Sequence, residues 1–394
     1  MFPKGALDGL TILDLSRILA GPTCTQLLGD LGAEVIKIEN PKSGGDDTRG
    51  WGPPFVEGVE GEQTDLSSYF MSANRNKLSV SADIATDEGQ ALVRALAARA
   101  DVVIENFKPG GLKKYGLDHD SLLAAHPGLV YCSISGFGQT GPNKDKPGYD
   151  LMAQGYGGIM SLTGEPDGRP MKVAVGVADV VCGLYATIGI LSALRHCDET
   201  GEGQHIDVAL VDTQVSWLIN EGVAHLTTGK PRPRRGNEHA TIVPYQTFEC
   251  SDGHVIVAVG NDSQYARFCE FLGRPDLAEG ENAVNAHRVL NRAALIPELE
   301  AELIKHSMAA VVAGLEARKV PVGPVNTLEK VFASAQVAAR DMRIDMPRDD
   351  VAGGTVSLIG NPLKLSKTPV SYRRAPPRFG QDTADVVASL KDVP

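Results

Sequence analysis

The chain has 394 residues, of which 42% are hydrophobic and 22% charged, and its formal net charge is −11. This length suffices for two domains or for one large domain with an insertion. The negative charge argues against nucleic-acid binding, although a local basic cluster could still bind an anion. A mean hydropathy of −0.10 and the lack of an apolar run of about eighteen residues argue against a membrane span.

Six cysteines are spread along the chain without a CxxC pair or a paired histidine spacing. They are Cys24, Cys132, Cys182, Cys197, Cys250 and Cys269. The scattered spacing predicts reduced thiols, without disulfides or a zinc site, and therefore a cytoplasmic protein. The N-terminal sequence MFPKGALDGL also lacks the apolar segment that is typical of a secretory signal.

The first elements in chain order predict a parallel sheet. Residues 10–15 and 32–39 are strand-like runs, and residues 23–31 between them have the pattern of a helix. Further strands are predicted at residues 78–82, 101–105 and 127–135, with a helix at residues 88–100. This alternation indicates an α/β fold with a large, doubly wound, Rossmann-like sheet. The GxGxxG fingerprint of dinucleotide-binding proteins is absent.

Cations are frequent in the loops that follow the predicted strands, where ligands of a doubly wound sheet bind. These cations are Arg17, Lys42, Arg75, Lys77, Lys108, Lys113, Lys114 and Lys146. Such a cluster suits a phosphorylated adenosine tail, because several phosphate charges must be neutralised outside bulk water. An ordinary hydrated surface is the alternative interpretation, above all for Lys113.

Asp179 stands alone among apolar and small residues, just before a helix predicted at residues 182–195. That helix is apolar on all sides, which indicates that it is buried. A carboxylate there costs free energy unless something uses it, so a catalytic role is one interpretation. The alternative is a helix N-cap, a position that Asp favours.

A second domain is predicted downstream. Residues 229–236, with the sequence GKPRPRRG, break the periodicity and are interpreted as a linker. Strands at residues 242–250 and 254–259 flank a turn that is typical of a hairpin, and helical segments follow. The sequence therefore predicts a small α+β domain at residues 229–329. The large domain then comprises residues 1–228 together with 330–394.

Three segments are similar to sequences of one enzyme family. They are GYDLMAQGYGG from residue 148, GVADVVCGLYATIGILSAL from residue 176 and TGEGQHIDVALVD from residue 200. In order and spacing they resemble the class III CoA-transferases, a family that includes formyl-CoA transferase, carnitine CoA-transferase and, as a relative, alpha-methylacyl-CoA racemase. The resemblance implies that Asp179 is the nucleophile in CoA transfer between carboxylic acids. It implies coenzyme A and acyl-CoA as substrates, with no tightly bound cofactor and no metal.

The segments NRNK and ENFKPGGL resemble the coenzyme A loops of this family. The resemblance implies these CoA-binding residues: Arg17, Leu19, Ala20, Lys42, Arg75, Lys77, Ala82, Asp83, Asn106, Phe107, Lys108, Lys114, Lys146 and Tyr149. Ala82 and Asp83 are expected to face the adenine. Backbone N–H groups near Leu19 and Ala20 are the expected oxyanion donors. Lys114 stands where formyl-CoA transferase has an Arg, so the charge is kept but bidentate geometry is lost.

The segment GNEHATIVPYQTF resembles the substrate-covering part of glutarate and hydroxymethylglutarate CoA-transferases. The implied covering residues are Gly236, Asn237, His239 and Tyr245, and a dicarboxylate such as succinate is expected as donor or acceptor. For His239, a loop histidine bonded to the backbone is the alternative. The tail PPRFGQDT also resembles the family and implies an interlocked homodimer, with neither nucleic acid nor membrane as a partner.

Two alternative functions remain open. The first is an acyl-CoA racemase or isomerase, in which a His at the position of Tyr149 forms an acid–base pair with the Asp. Tyr149 disfavours it, because a phenol, with a reference pKa near 10, is a poor general base at neutral pH. The second is a CoA-binding protein without catalysis, which the presence of Asp179 disfavours.

Overall fold

The computed structural model describes residues 4–391, which form two compact units. The larger unit runs to Ile159, resumes over Lys172–Gly229 and returns from Ala335, and the smaller unit comprises Met160–Met171 and Lys230–Ser334. Compared with the predicted division, the structure adds residues 160–171 to the smaller unit. A contact between residues far apart in the chain joins the two segments: the Gly236 N–H donates to the Gly164 carbonyl at 3.0 Å.

The strands and helices have the following bounds. The strands are β1 (Thr11–Asp14), β2 (Glu34–Glu39), β3 (Phe55–Glu57), β4 (Gln63–Ser67), β5 (Lys77–Ser81), β6 (Val102–Glu105), β7 (Val130–Ser135), β8 (His205–Ala209), β9 (Tyr245–Cys250), β10 (Gly253–Ala258), β11 (Val322–Pro324), β12 (Arg343–Pro347) and β13 (Thr355–Ile359). The helices are α1 (Ala20–Asp30), α2 (Ser68–Ala73), α3 (Asp87–Ala97), α4 (His119–Ala125), α5 (Asp150–Tyr156), α6 (Ile159–Leu162), α7 (Val177–Thr200), α8 (Leu210–Ser216), α9 (Ile219–Thr228), α10 (Asp262–Phe271), α11 (Asn285–Leu290), α12 (Arg292–Leu303), α13 (Met308–Ala317), α14 (Leu328–Phe332), α15 (Ala335–Ala339) and α16 (Thr383–Ser389).

A six-stranded sheet forms the centre of the larger unit, in the order β5-β2-β1-β6-β7-β8. Every pairing in it is parallel. Counted along the chain, these six strands follow the order 3-2-1-4-5-6 of a doubly wound dinucleotide-binding sheet. The predicted α/β class with a parallel sheet is confirmed. The order reverses between β1 and β6, so a ligand crevice is expected beyond the carboxyl ends of these two strands.

Helices cover both faces of this sheet because successive strand residues point to opposite sides. On one face Ile12 and Ile104 belong to a buried cluster that includes residues of α1 and α7. On the other face Leu13 and Val103 pack in a cluster with residues of α3, α4 and α16. Strands buried on both faces explain the nearly continuous apolar runs of the sequence.

The helix α7 begins earlier and ends later than predicted. It packs closely on α1, because a Cβ added to Gly183 would lie 2.6 Å from the Ala20 carbonyl oxygen. By length and composition α7 could cross a bilayer, contrary to the expectation from the apolar runs of the sequence. Half of its most apolar stretch is buried inside the protein, however, and core helices meet the same criterion.

One further element differs in the structure. The pattern of residues 211–228 predicts a single helix, but the structure divides this segment into α8 and α9. Ile219, the first residue of α9, has a positive φ of 35°.

The smaller unit contains an antiparallel three-stranded sheet in the order β11-β10-β9. Strands β9 and β10 form the predicted hairpin, in which Gly253 pairs with Cys250. Helices α10, α12 and α13 contribute to its buried cluster with Phe248 and Val257. Arg288 is fully buried there, and its Nε donates to the Val243 carbonyl at 2.7 Å.

Candidate active site

Asp179 lies in the first turn of α7, and the N-cap of that helix is Gly176. The capping acceptor comes from another helix: Asp150 Oδ1 accepts a hydrogen bond from the Ala178 N–H at 2.9 Å. The interpretation of Asp179 as the N-cap is therefore wrong. Within residues 4–391, the Asp179 carboxylate has no hydrogen-bond partner, so its oxygens are available for chemistry.

The surroundings of Asp179 disfavour the ionised form of its carboxyl group. Burial, and secondly the negative charge of Asp150, raise the pKa of Asp179 from 3.8 to about 7. A raised pKa in a carboxylate without partners is typical of a functional group rather than of a structural one. Near neutral pH the protonated and ionised forms of Asp179 therefore coexist.

The amino terminus of α1 lies against the same face of α7. A Cβ added to Gly176 would lie 2.9 Å from Leu19 Cδ2, and a Cβ added to Gly183 would lie 2.6 Å from the Ala20 carbonyl oxygen. Asp179 lies between these two glycines at helical spacing, so it shares their face. The N–H groups of Leu19 and Ala20 have no acceptor within the described part of the chain. Two free amides at the amino terminus of α1 are thus on the side of α7 that carries Asp179.

A cavity of about 340 Å³ opens beyond the carboxyl ends of β1, β2, β5 and β6. It brings together five of the predicted CoA-binding residues: Arg17, Ala82, Asp83, Phe107 and Lys114. Asn106 adjoins them, because its amide exchanges two hydrogen bonds with the Arg17 backbone, at 2.9 and 2.7 Å. Lys42 pairs with the carboxylate of Asp83 at 2.7 Å. The position matches the crevice at which the strand order reverses.

Arg75 and Lys77 do not line this cavity, which corrects their predicted role. Arg75 is 3% exposed and donates from Nε and Nη2 to Asp30 at 2.9 and 2.5 Å. Lys77 is 1% exposed and bonds to Asp14, to the Pro22 carbonyl and to Asn74. Both charges are matched by internal partners, so neither is available to phosphate.

Three further predicted residues lie outside the cavity. Lys108 lines a separate cavity of about 160 Å³, together with Glu105 and His119. Lys146 and Tyr149 are exposed on the loop before α5. Their contacts with coenzyme A stay predictions.

Two aromatic residues, Tyr69 and Trp51, were missed by sequence reasoning. Burial, and secondly the charges of Asp179, Asp150 and Asp46, raise the pKa of Tyr69. Trp51 packs against Tyr69 edge to face, with 5.1 Å between the ring centroids. The available signal was the long loop at residues 43–68, since loops of that length are often functional.

The predicted covering residues come together in the smaller unit. Asn237 Nδ2 donates to Thr247 Oγ1 at 3.0 Å, and the His239 N–H donates to the Tyr245 carbonyl at 2.9 Å. His239 Nδ1 accepts from the Thr241 N–H at 3.2 Å. This is the backbone-bonded loop histidine of the alternative interpretation, and in the neutral ring it places the proton on Nε2. Gly236 has a φ of 57°, which favours glycine.

All six cysteines are free thiols. Among residues 4–391, no group of three or more His, Cys, Asp or Glu side chains is placed to bind a metal ion.

Known proteins match this chain over nearly its whole length. The model of CoA-transferase family III matches residues 7–383. A succinate–glutarate CoA-transferase of Agrobacterium fabrum is 46% identical over 391 residues, covering 99% of this chain and 97% of its own length. The succinyl-CoA:glutarate CoA-transferase of Mus musculus is 40% identical over 388 residues, covering 98% of this chain and 86% of its own.

A solved structure gives the same result. The crystal structure of a CaiB/BaiF family protein from Brucella suis has a TM-score of 0.89 and 48% identity, covering 98% of this chain and 100% of its own. The resemblance seen in the three sequence segments is thereby confirmed. The chain belongs to CoA-transferase family III.

Proposed function

We propose that the chain transfers coenzyme A between two carboxylic acids, with Asp179 as the covalent nucleophile. The observation that supports this most strongly is the half-buried carboxylate of Asp179, which has no partner among residues 4–391 and lies on the side of α7 that packs against the amino terminus of α1. The similarity to enzymes named for succinate and glutarate supports a dicarboxylate as one of the two acids.

The reaction proceeds through two kinds of covalent adduct on Asp179. The ionised carboxylate attacks the thioester carbonyl of the donor, which gives an acyl-aspartyl anhydride and the CoA thiolate. The thiolate attacks the Asp179 carbonyl, releases the donor acid and forms an aspartyl-CoA thioester. The acceptor carboxylate attacks that thioester to form a second anhydride. The thiolate then attacks the acceptor carbonyl, which yields the new acyl-CoA and restores Asp179.

The free amides of Leu19 and Ala20 fit the role of oxyanion donors. Each attack in this scheme creates a negatively charged tetrahedral oxygen beside Asp179. Removing a single backbone or side-chain donor from such a site costs about 10²–10³ in kcat in other enzymes. Because the CoA thiolate stays close to the adduct on Asp179, its attack is effectively unimolecular. In well-oriented cases such proximity lowers the activation barrier by about 7–11 kcal/mol.

Coenzyme A occupies the cavity at the strand ends in this proposal. Ala82 and Asp83 line its adenine side, whereas Arg17 and Lys114 supply positive charge for the phosphates. Residues 236–246 cover the acid, with Asn237 and His239 as their polar groups. The enzyme acts in the cytoplasm, and its six free thiols support a reducing compartment.

The test is CoA partition among competing acids. With succinyl-CoA as donor, we expect mass spectrometry to find CoA on glutarate and other dicarboxylates, and about tenfold less on a monocarboxylate such as butyrate, because such a discrimination needs only about 1.4 kcal/mol. A racemase would leave CoA on succinate and would wash deuterium into the alpha position of a 2-methylacyl-CoA. A binding protein would give neither result, so each outcome identifies one of the three functions.

The proposal includes an interlocked homodimer. Apolar side chains on α7 and α9 are exposed in the single chain, including Ile188 at 60% and Leu226 at 83%. Exposed apolar side chains of this size are typical of a protein interface where they form a patch. We expect light scattering to give a dimer that persists on dilution to nanomolar concentration, since interlocked chains separate only on unfolding. A concentration-dependent monomer would contradict interlocking.

A further inference from the structure

We infer that the buried ion pair of Lys37 and Asp46 is a positioning device for catalysis. It fixes Ile18 in a left-handed backbone conformation and thereby orients the N–H groups of Leu19 and Ala20 beside Asp179. The inference rests on the transfer reaction proposed above, and it assigns a role to two charged residues that touch neither acid in that scheme.

The segment between β1 and α1 has an unfavourable conformation. Ile18 has a φ of 73°, in a region that β-branched residues rarely adopt. Such residues persist where the surrounding structure imposes them, and they cluster at active sites. Ile18 immediately precedes the N-cap residue Leu19, so its conformation sets the direction of the first amides of α1.

Asp46 binds the backbone of this segment directly. The Ile18 N–H donates to both carboxylate oxygens of Asp46, each at 3.2 Å. Lys37 Nζ lies 2.9 Å from Asp46 Oδ2, and the same ammonium donates to the Ser16 carbonyl at 2.8 Å. The ion pair thus bonds to the backbone on both sides of Arg17, at the Ser16 carbonyl and the Ile18 N–H. The side chains of Lys37 and Asp46 are 1% and 0% exposed, so water does not compete for these bonds.

The pair is itself rigidly supported. Asp46 Oδ1 accepts from the N–H and the hydroxyl of Thr48, at 3.0 and 2.8 Å. The Asp46 N–H donates to Glu39 Oε2 at 2.8 Å, and the same oxygen accepts from Arg49 Nε at 2.8 Å. The Asp46 carboxylate is thus fixed by three groups besides Ile18, namely the Thr48 N–H, the Thr48 hydroxyl and the Lys37 ammonium, so its position determines that of the Ile18 N–H.

Both members of the pair remain charged at neutral pH. Burial opposes ionisation of Asp46, but the Lys37 ammonium and the hydrogen bonds from Thr48 lower its pKa to about 2. Burial likewise opposes the charge of Lys37, but Asp46 and Asp14 raise its pKa. The hydrogen bonds from the Ile18 N–H to Asp46 are therefore charge-assisted, and such bonds are stronger than neutral hydrogen bonds.

The test removes both charges together, so that no buried charge is left alone. In the double variant Lys37→Met/Asp46→Ala, we expect kcat to fall about 100-fold, because a displacement near 1 Å at a reacting centre has that effect. Lys37 and Asp46 also line the cavity proposed for coenzyme A, so kcat is measured at saturating acyl-CoA, where a weaker affinity for coenzyme A does not lower it. Arg348→Met/Asp350→Ala is the matched control, because that pair is also largely buried in the larger unit but does not touch residues 16–20.

A third substitution separates positioning from general stability. Glycine adopts a positive φ without strain, so adding Ile18→Gly to the double variant should restore kcat by about tenfold. A variant that had merely lost stability would gain nothing from this change. A kcat equal to that of the control pair, or no recovery with Ile18→Gly, would overturn the inference.

Hydrogen–deuterium exchange tests whether the ion pair fixes this segment, and it does not depend on an activity assay. Amide exchange in the peptide at residues 15–21 should increase at least about tenfold in the double variant, as expected for a segment that has lost its local protection, and should be unchanged in the control. Unchanged exchange in both would overturn the inference. If the unmodified protein transferred no CoA, the proposed function would fail, and this exchange measurement would still decide whether the pair fixes the segment.

Discussion

Asp179→Asn is expected to abolish CoA transfer and, at neutral pH, to stabilise the folded protein. The amide cannot form an anhydride, so we expect transfer to fall by more than about 100-fold, in line with other deleted catalytic groups. Coenzyme A should still bind, because Asp179 does not line the cavity at the strand ends. Mass spectrometry of the CoA products and calorimetry of CoA binding measure the two effects separately.

The gain in stability follows from the pKa of Asp179. Its value rises from 3.8 to about 7 on folding, and each unit corresponds to about 1.4 kcal/mol. Partial solvent access reduces the total cost of ionising Asp179 in the folded state to about 2 kcal/mol. An asparagine of nearly the same shape removes this cost, so the free energy of unfolding should rise by that amount at pH 8.

The sign of the pH dependence is fixed by the direction of that shift. Below about pH 4 the carboxyl group is protonated in both folded and unfolded chains, so Asp and Asn should give similar stability. Between about pH 4 and pH 7 only the unfolded chain ionises fully, and the advantage of the variant grows. Above pH 7 the advantage is complete and constant.

Urea denaturation at pH 4 and pH 8 measures this difference. Asp198→Asn is the control, because Asp198 is exposed on the same helix and surface substitutions typically change stability by no more than about 0.5 kcal/mol. An Asp179→Asn variant that is no more stable than the unmodified protein at pH 8 would contradict a poorly solvated carboxylate without a partner.

Elements with a strong local pattern could be predicted from the sequence. The parallel sheet followed from apolar strand runs that alternate with helices, and the β9–β10 hairpin followed from its Ser-Asp-Gly turn. The importance of Asp179 followed from a lone acid before an apolar helix. In each case the deciding information lies within about twenty residues of chain, which is the range over which periodicity and turn residues act.

The sequence did not predict features that depend on a residue far away in the chain. Arg75 looks like a cation in a loop, but its partner Asp30 lies 45 positions earlier in the chain. The N-cap of α7 could not be assigned because its acceptor, Asp150, comes from α5. Likewise, nothing local to residues 160–171 shows that Gly164 bonds to Gly236. Pairings of this kind depend on tertiary structure, which residue patterns do not specify.

Heavy oxygen is expected to move from the acceptor acid onto Asp179 during turnover. The labelled acceptor carboxylate attacks the aspartyl-CoA thioester, and one of its oxygens becomes the bridge of the anhydride. When the thiolate attacks the acceptor carbonyl, the bond between that carbonyl and the bridge breaks. The bridging oxygen therefore remains on Asp179, whose original oxygen has left with the donor acid, and the new acyl-CoA keeps the other labelled oxygen.

The sequence allows this label to be read at one site. Trypsin is expected to release residues 173–195, with the sequence VAVGVADVVCGLYATIGILSALR, in which Asp179 is the only acidic side chain. After a single turnover this peptide should gain one heavy oxygen per active site. The preceding peptide contains Asp150 and should stay unlabelled, which makes it an internal control in the same digest. Direct attack of the acceptor on the donor thioester would leave both peptides unlabelled, because no oxygen of Asp179 then takes part in a bond that breaks.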